Sequence, residues 1–200
     1  STFSASAQRR AMDRRTALVA LGSLTGAGSL AGCFGSATGE NRPEPVDLSD
    51  GKADDQGGMI IGKHGGPNGQ IFYENNGPEG HDNPAWFHTL AFGLFRYYFR
   101  HERRGWEAAA IYVTDYSLVE YDLQERDGRL YMPSPTATET FGDARDVTYV
   151  MDSEVYGGMG PALIPFSVDG DAEEFVDRHS GQTVTFDDIT PQLISEYTTR

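Results

Sequence analysis

From residue 59 onward the chain reads as one order of elements repeated, strand, strand, helix, strand, and this repeat limits the possible fold more than any other feature. In the first pass Met59-Ile60-Ile61 and Gln70-Ile71-Phe72-Tyr73 have the apolar, β-branched and aromatic character of short strands, and His64-Gly65-Gly66-Pro67-Asn68-Gly69 between them has hairpin-turn chemistry. A loop of Gly, Asn and Pro over 75–84 leads to a helix predicted over 86–103. Its Phe87, Leu90, Ala91, Leu94, Phe95 and Tyr98 recur at three- and four-residue steps on one face, away from Arg96, Arg100 and Arg103. Gly105 ends this helix, and 108–113 reads as a third strand. The second pass has strands over 147–150 and 163–166 about a Gly-rich turn, a helix over 171–179 closed by Gly181, and a strand over 183–186. The turns align as well, because Gly66-Pro67 lies as far before Phe72 as Gly160-Pro161 lies before Phe166. The expected fold is therefore α+β, with two similar small ββαβ units at 57–127 and 143–200, a linker at 128–142, and a short helix over 190–197.

The N-terminal part has a different character. Arg9, Arg10, Arg14 and Arg15 precede an uncharged stretch over 16–31 built from Ala, Leu, Val, Gly, Ser and Thr, the layout of a signal peptide. That stretch is shorter and less apolar than the roughly 20 residues a membrane-spanning helix needs. Arg14-Arg15 before Thr16-Ala17-Leu18 resembles a twin-arginine signal. Leu30-Ala31-Gly32-Cys33 resembles a lipobox, which makes Cys33 a lipidation site and 1–32 a removable signal; the alternative is a free cysteine buried in a helix. Residues 33–56 are rich in Gly, Pro, Asp, Glu and Ser and read as a flexible acidic tether. Beyond the tether, roughly 145 residues suffice for one domain or two small ones sharing a core.

Charge excludes some partners. Only Asp13 of the 30 acidic residues, but four of the 16 basic ones, fall within 1–32, so cleavage would leave 29 acidic against 12 basic residues, a net charge of −17. Such a surface repels nucleic acid and anionic lipid headgroups. With lysine confined to Lys52 and Lys63, it also suits folding in concentrated salt, where self-repulsion is screened, and points to a halophilic source.

Catalytic signatures are missing from the sequence. There is no G-x-S-x-G, no P-loop and no G-x-G-x-x-G after a strand, and the single cysteine belongs to the lipobox, so an enzyme is not expected. Methionine placement is the unusual feature. Gly57-Gly58-Met59 and Gly157-Gly158-Met159-Gly160 set thioethers among glycines, where packing is sparse. Thioether sulfur is a soft donor that favours Cu(I), and imidazole also binds copper. His64 lies in the first turn near the position that Met159 holds in the second, so an arrangement bringing the turns to one edge would place Met59, His64 and Met159 together as a metal site. The alternative is that Met59 starts a buried strand, Met159 fills a gap and His64 is a surface turn residue. For His81 and His88, on either side of the helix start, capping or solvated roles are expected over ligation.

Several segments in order resemble the NosL family, copper-binding accessory lipoproteins associated with nitrous oxide reductase. They are Gly58-Met59, Gln70-Ile71-Phe72, Leu94-Phe95-Arg96-Tyr97-Tyr98, Ala110-Ile111-Tyr112-Val113, Asp143-Ala144-Arg145, Gly158-Met159-Gly160-Pro161 and Phe186-Asp187-Asp188-Ile189-Thr190-Pro191. The resemblance implies two similar α+β units and a membrane-anchored extracytoplasmic protein that binds Cu(I) and passes it to an exported copper reductase, with Met59 and Met159 matching the family's methionines. It also implies a departure, since the family usually has cysteine just before its Gly-Met and often three residues earlier, and here those positions are Gly57 and Asp54. Either the donor set is Met and His, or the chain is an exported lipoprotein serving as a binding or interaction module without metal.

Overall fold

A computed structural model describes residues 42–199; the signal expected at 1–32, Cys33 and the first part of the expected tether lie outside them. The first unit opens with β1 (Gly69–Tyr73), β2 (Ala85–Phe87), a π-helical turn over Leu90–Leu94 that continues into α1 (Phe95–Glu102), and β3 (Ala108–Thr114). β1 is central, antiparallel to β2 on one side and to β3 on the other. Later strands are β4 (Gln124–Arg126), β5 (Arg129–Tyr131), β6 (Phe141–Asp143), β7 (Thr148–Met151), β8 (Val155–Gly157), β9 (Gly160–Pro161), β10 (Ile164–Phe166) and β11 (Gln182–Val184). Two further helices are α2 (Asp169–His179) and α3 (Pro191–Tyr197). In the second unit β7 is central, between β10 and β11. Both units thus share one topology, in which the first strand lies between the second and third and a helix joins the last two.

The repeat holds in element order but not in the expected alignment. Residues 59–61 form no sheet strand; Ile60 makes a single bridge to Ala53, and the first two strands are β1 and β2. Phe72 therefore belongs to a central strand and Phe166 to an edge strand, so the Gly-Pro turns before them are not equivalent. The helix begins later than its periodicity suggests because Trp86 and Phe87 pair with Gln70 and Gly69. Ladder hydrogen bonds there outweigh helical spacing, and aromatic residues suit strands equally well. Asn83 reinforces this by accepting from the Tyr73 amide (3.2 Å) and donating to the Tyr73 carbonyl (2.9 Å).

Two boundaries are corrected. Residues 128–142 are not a linker: β4 and β5 form a hairpin, β5 pairs in parallel with β8, and β6 extends the first sheet beside β3. Nor does the tether reach residue 56. Leu48 is fully buried with Ile61, Phe72, Ala110, Tyr112 and Phe141, and Gln70 clamps Val46 by accepting from its amide (2.9 Å) and donating to its carbonyl (3.0 Å). The physical reason is that the first sheet's outer face needs cover, and a polar segment can supply it with one well-placed leucine and paired backbone groups.

Strand alternation distributes the core. Ile71, Ile111 and Val113 face a central cluster with Leu90, Leu94, Phe95, Tyr149, Met151, Ile194 and Tyr197, whereas Phe72, Ala110 and Tyr112 face the Leu48 cluster. Both units feed the central cluster, so they fold around one shared core. A third cluster, around Phe166 and Phe175, lies beneath α2.

Candidate metal centre

Met159 is carried by a tight turn in the sheet of order β4-β5-β8-β9. Gly157 pairs with Gly160 across the β8–β9 hairpin, which leaves Gly158 and Met159 as a two-residue loop. Met159 belongs to none of the apolar clusters and is 50% exposed, so it does not fill a gap in the core. The loop is pressed against the segment just after His64: a Cβ on Gly158 would lie 2.7 Å from the Gly65 carbonyl oxygen, 3.2 Å from His64 Cβ and 3.2 Å from His88 Cδ2. Only glycine permits that approach, so the two Gly-rich segments do meet, as expected from the sequence.

Behind the loop lies His88, 2% exposed, just before the π-helical turn. In that turn the Leu94 amide reaches the Thr89 carbonyl (3.0 Å), a spacing one residue wider than in an α-helix. Gly93 within it sits close to Asp54, since a Cβ there would be 3.1 Å from Asp54 Oδ2. The Asp54 carboxylate, 3% exposed, accepts four hydrogen bonds: from the Gln56 and Gly57 amides at Oδ1 (2.7 Å each), and from the His88 amide (2.8 Å) and His88 Nδ1 (2.6 Å) at Oδ2. Burial opposes the charged form of this carboxyl, but the bonds from the His88 ring, the His88 amide and the Gly57 amide outweigh it and hold the pKa below the ordinary carboxylate range. An ionised carboxylate only accepts, so Nδ1 carries a proton, and Nε2 is the ring nitrogen whose lone pair a metal would use.

That lone pair has no protein partner. Four buried side-chain polar atoms lack a hydrogen-bond partner among the described residues, and three of them, His88 Nε2, Thr89 Oγ1 and Gln56 Oε1, belong to residues lining one cavity. The cavity, about 160 Å³, is bounded also by Asp54, Arg96 and Met159. A buried nitrogen with a free lone pair beside an exposed thioether is an arrangement that can bind a soft cation. Among the described residues no three His, Cys, Asp or Glu side chains converge to hold a metal. A cavity of about 420 Å³ beside α2 includes His179 but no methionine.

The other two residues named from the sequence fall at different distances from this centre. His64 lines a neighbouring cavity with Lys63 and Glu120, and its ring stands 6.2 Å from that of His88 at an interplanar angle of 67°. Met59 lies at the far end of the turn that begins at Asp54, its carbonyl accepting from the Asp54 amide (2.8 Å), and it is absent from the cavity lining. Sequence reasoning expects a capping or solvated role for His88 and gives Asp54 none, whereas both are buried. One signal was available: His88-Thr89 interrupts the apolar run Ala85-Trp86-Phe87 and Leu90-Ala91-Phe92, and polar groups inside such a run must find partners or a task.

Comparison with known proteins gives the family. No curated protein matches the chain. The crystal structure of the copper chaperone NosL from Shewanella denitrificans is similar in fold, with a TM-score of 0.61 and 23% identity over 76% of this chain and 99% of that one. The solution structure of apo-NosL from Achromobacter cycloclastes is 26% identical over 63% of this chain and 87% of that one, with a TM-score of 0.37. The family model described as NosL matches residues 45–194, which takes in β1 to β11, the turn bearing Asp54 and the Met159 hairpin, and on that match the chain belongs to the NosL family.

Proposed function

We propose that the protein is a Cu(I)-binding accessory protein, held at the outer face of the cell membrane by lipid on Cys33, that supplies copper for the sites of nitrous oxide reductase. The observation that carries the reading is Met159, half exposed at a hairpin tip beside a cavity containing a buried, unpartnered histidine nitrogen. Thioether and imidazole are neutral donors that suit Cu(I), while such a set offers Zn²⁺ too little negative charge. A carrier has to release its metal as well as bind it, and an exposed donor on a two-residue loop is open to exchange with an acceptor site. Of the three residues named from the sequence, Met159 is the proposed ligand at this cavity; His64 lines the neighbouring one and Met59 is absent from the lining. The fold shared with a protein described as a copper chaperone supports the assignment. An exported module without metal would keep the same fold.

The test is competition for metal. The purified protein is expected to withdraw Cu(I) from a chromogenic chelator, and a large excess of Zn²⁺ should not displace it. Failure to compete for Cu(I) at neutral pH would favour the metal-free module. The anchor is tested separately: Cys33→Ser is expected to release the protein from membranes or to block its processing. A variant that stays membrane-bound at the mature size would remove the lipid from this account.

A further inference from the structure

We infer that Nε2 of His88 is the nitrogen donor of this site and that Asp54 is the positioning residue that presents it, an inference that rests on the Cu(I) reading above. His64 is the histidine expected as a ligand from the sequence, but His88 is the one with a buried nitrogen lacking a partner. The other side-chain polar atoms of the dyad are all committed. Asp54 uses both oxygens, each with two donors, and the His88 amide and Nδ1 both end on Asp54 Oδ2. A proton is therefore held on Nδ1, and the ring nitrogen left without a partner is Nε2.

This is the arrangement metal-binding histidines use, with the distal nitrogen bonded to a carboxylate that fixes the tautomer and raises the basicity of the donor nitrogen. Here the carboxylate is itself buried and fixed by backbone amides, so the ring is held before any ion arrives. A purely structural dyad has no use for leaving Nε2 buried and unbonded, since an unsatisfied polar atom carries a desolvation penalty. Binding an ion converts that penalty into affinity.

Cu(I) is diamagnetic, so ring ¹⁵N and methionine methyl resonances of the full chain can be followed as Cu(I) is added. Before metal, His88 is expected to show a protonated Nδ1 and an unprotonated Nε2; on Cu(I) addition the Nε2 resonance should shift together with the Met159 methyl. H88Q is expected to lower Cu(I) affinity by about tenfold or more, and D54N by about 10–100-fold, the range for loss of an outer partner. D54N should also relax the tautomer preference. If Met159 responds and His88 Nε2 does not, the inference is overturned while the copper reading stands. If neither responds, both fall. A folded D54N protein with unchanged affinity and tautomer would remove Asp54 from its role, and the wild-type tautomer decides that point even if D54N does not fold.

Discussion

Met159→Leu is expected to abolish effective competition for Cu(I) while leaving circular dichroism and melting temperature nearly unchanged. The side chain is half exposed, sits at the tip of a two-residue loop and touches no apolar cluster, so its packing contribution is small. Substitution at such a position typically changes stability by less than about 0.5 kcal/mol. Leucine conserves the shape of methionine but has no donor atom. Removing a direct ligand should cost at least the roughly 10–100-fold that loss of an outer partner costs. Ligand and packing roles therefore separate cleanly in one variant. Equal withdrawal of Cu(I) by wild type and M159L would remove Met159 from the ligand set, and withdrawal by neither would end the copper assignment in favour of a binding module without metal.

Leu48→Ala is expected to destabilise the protein by about 2–5 kcal/mol, the range for truncating a fully buried leucine. For a body of this size that corresponds to a fall in melting temperature on the order of 10 °C. Leu48 fills the centre of the cluster under the first sheet, and the same segment is tied to Gln70 and, through the Leu48 amide, to the Thr136 carbonyl (2.9 Å). A second effect comes from connectivity. Asp54 lies six positions further along the same segment, so loosening Leu48 should also weaken the hold on His88. Thermal melting of L48A, followed by Cu(I) competition below its transition, measures both. An unchanged melting temperature would mean that residues before 57 are the tether their composition suggests.

Much of the secondary structure is readable because its causes are local. β1, β3, β7 and β10 are short runs of apolar, β-branched and aromatic residues, and α2 and α3 carry helical periodicity with turn or capping residues at their ends, such as Thr190, whose side chain accepts from the Leu193 amide (3.2 Å). Met159 is also identifiable from its neighbours alone, because glycines on both sides leave a thioether nothing local to pack against.

The features that the sequence conceals depend on distant partners. Trp86 and Phe87 have the periodicity of a helix and are held in a strand by Gln70 and Gly69, which no local pattern records. Residues 42–56 are polar enough to stay unfolded by themselves and become ordered because a sheet built from residues 69–114 leaves one face uncovered. The same holds for the centre. By itself the sequence determined the α+β class, the repeated ββαβ order, the acidic composition and the methionine set among glycines, since these depend on composition and spacing. Only the tertiary structure decided which histidine stands beside that methionine, because the choice depends on the hydrogen bond that joins Asp54 to His88 across 34 positions and leaves Nε2 with nothing else to bind.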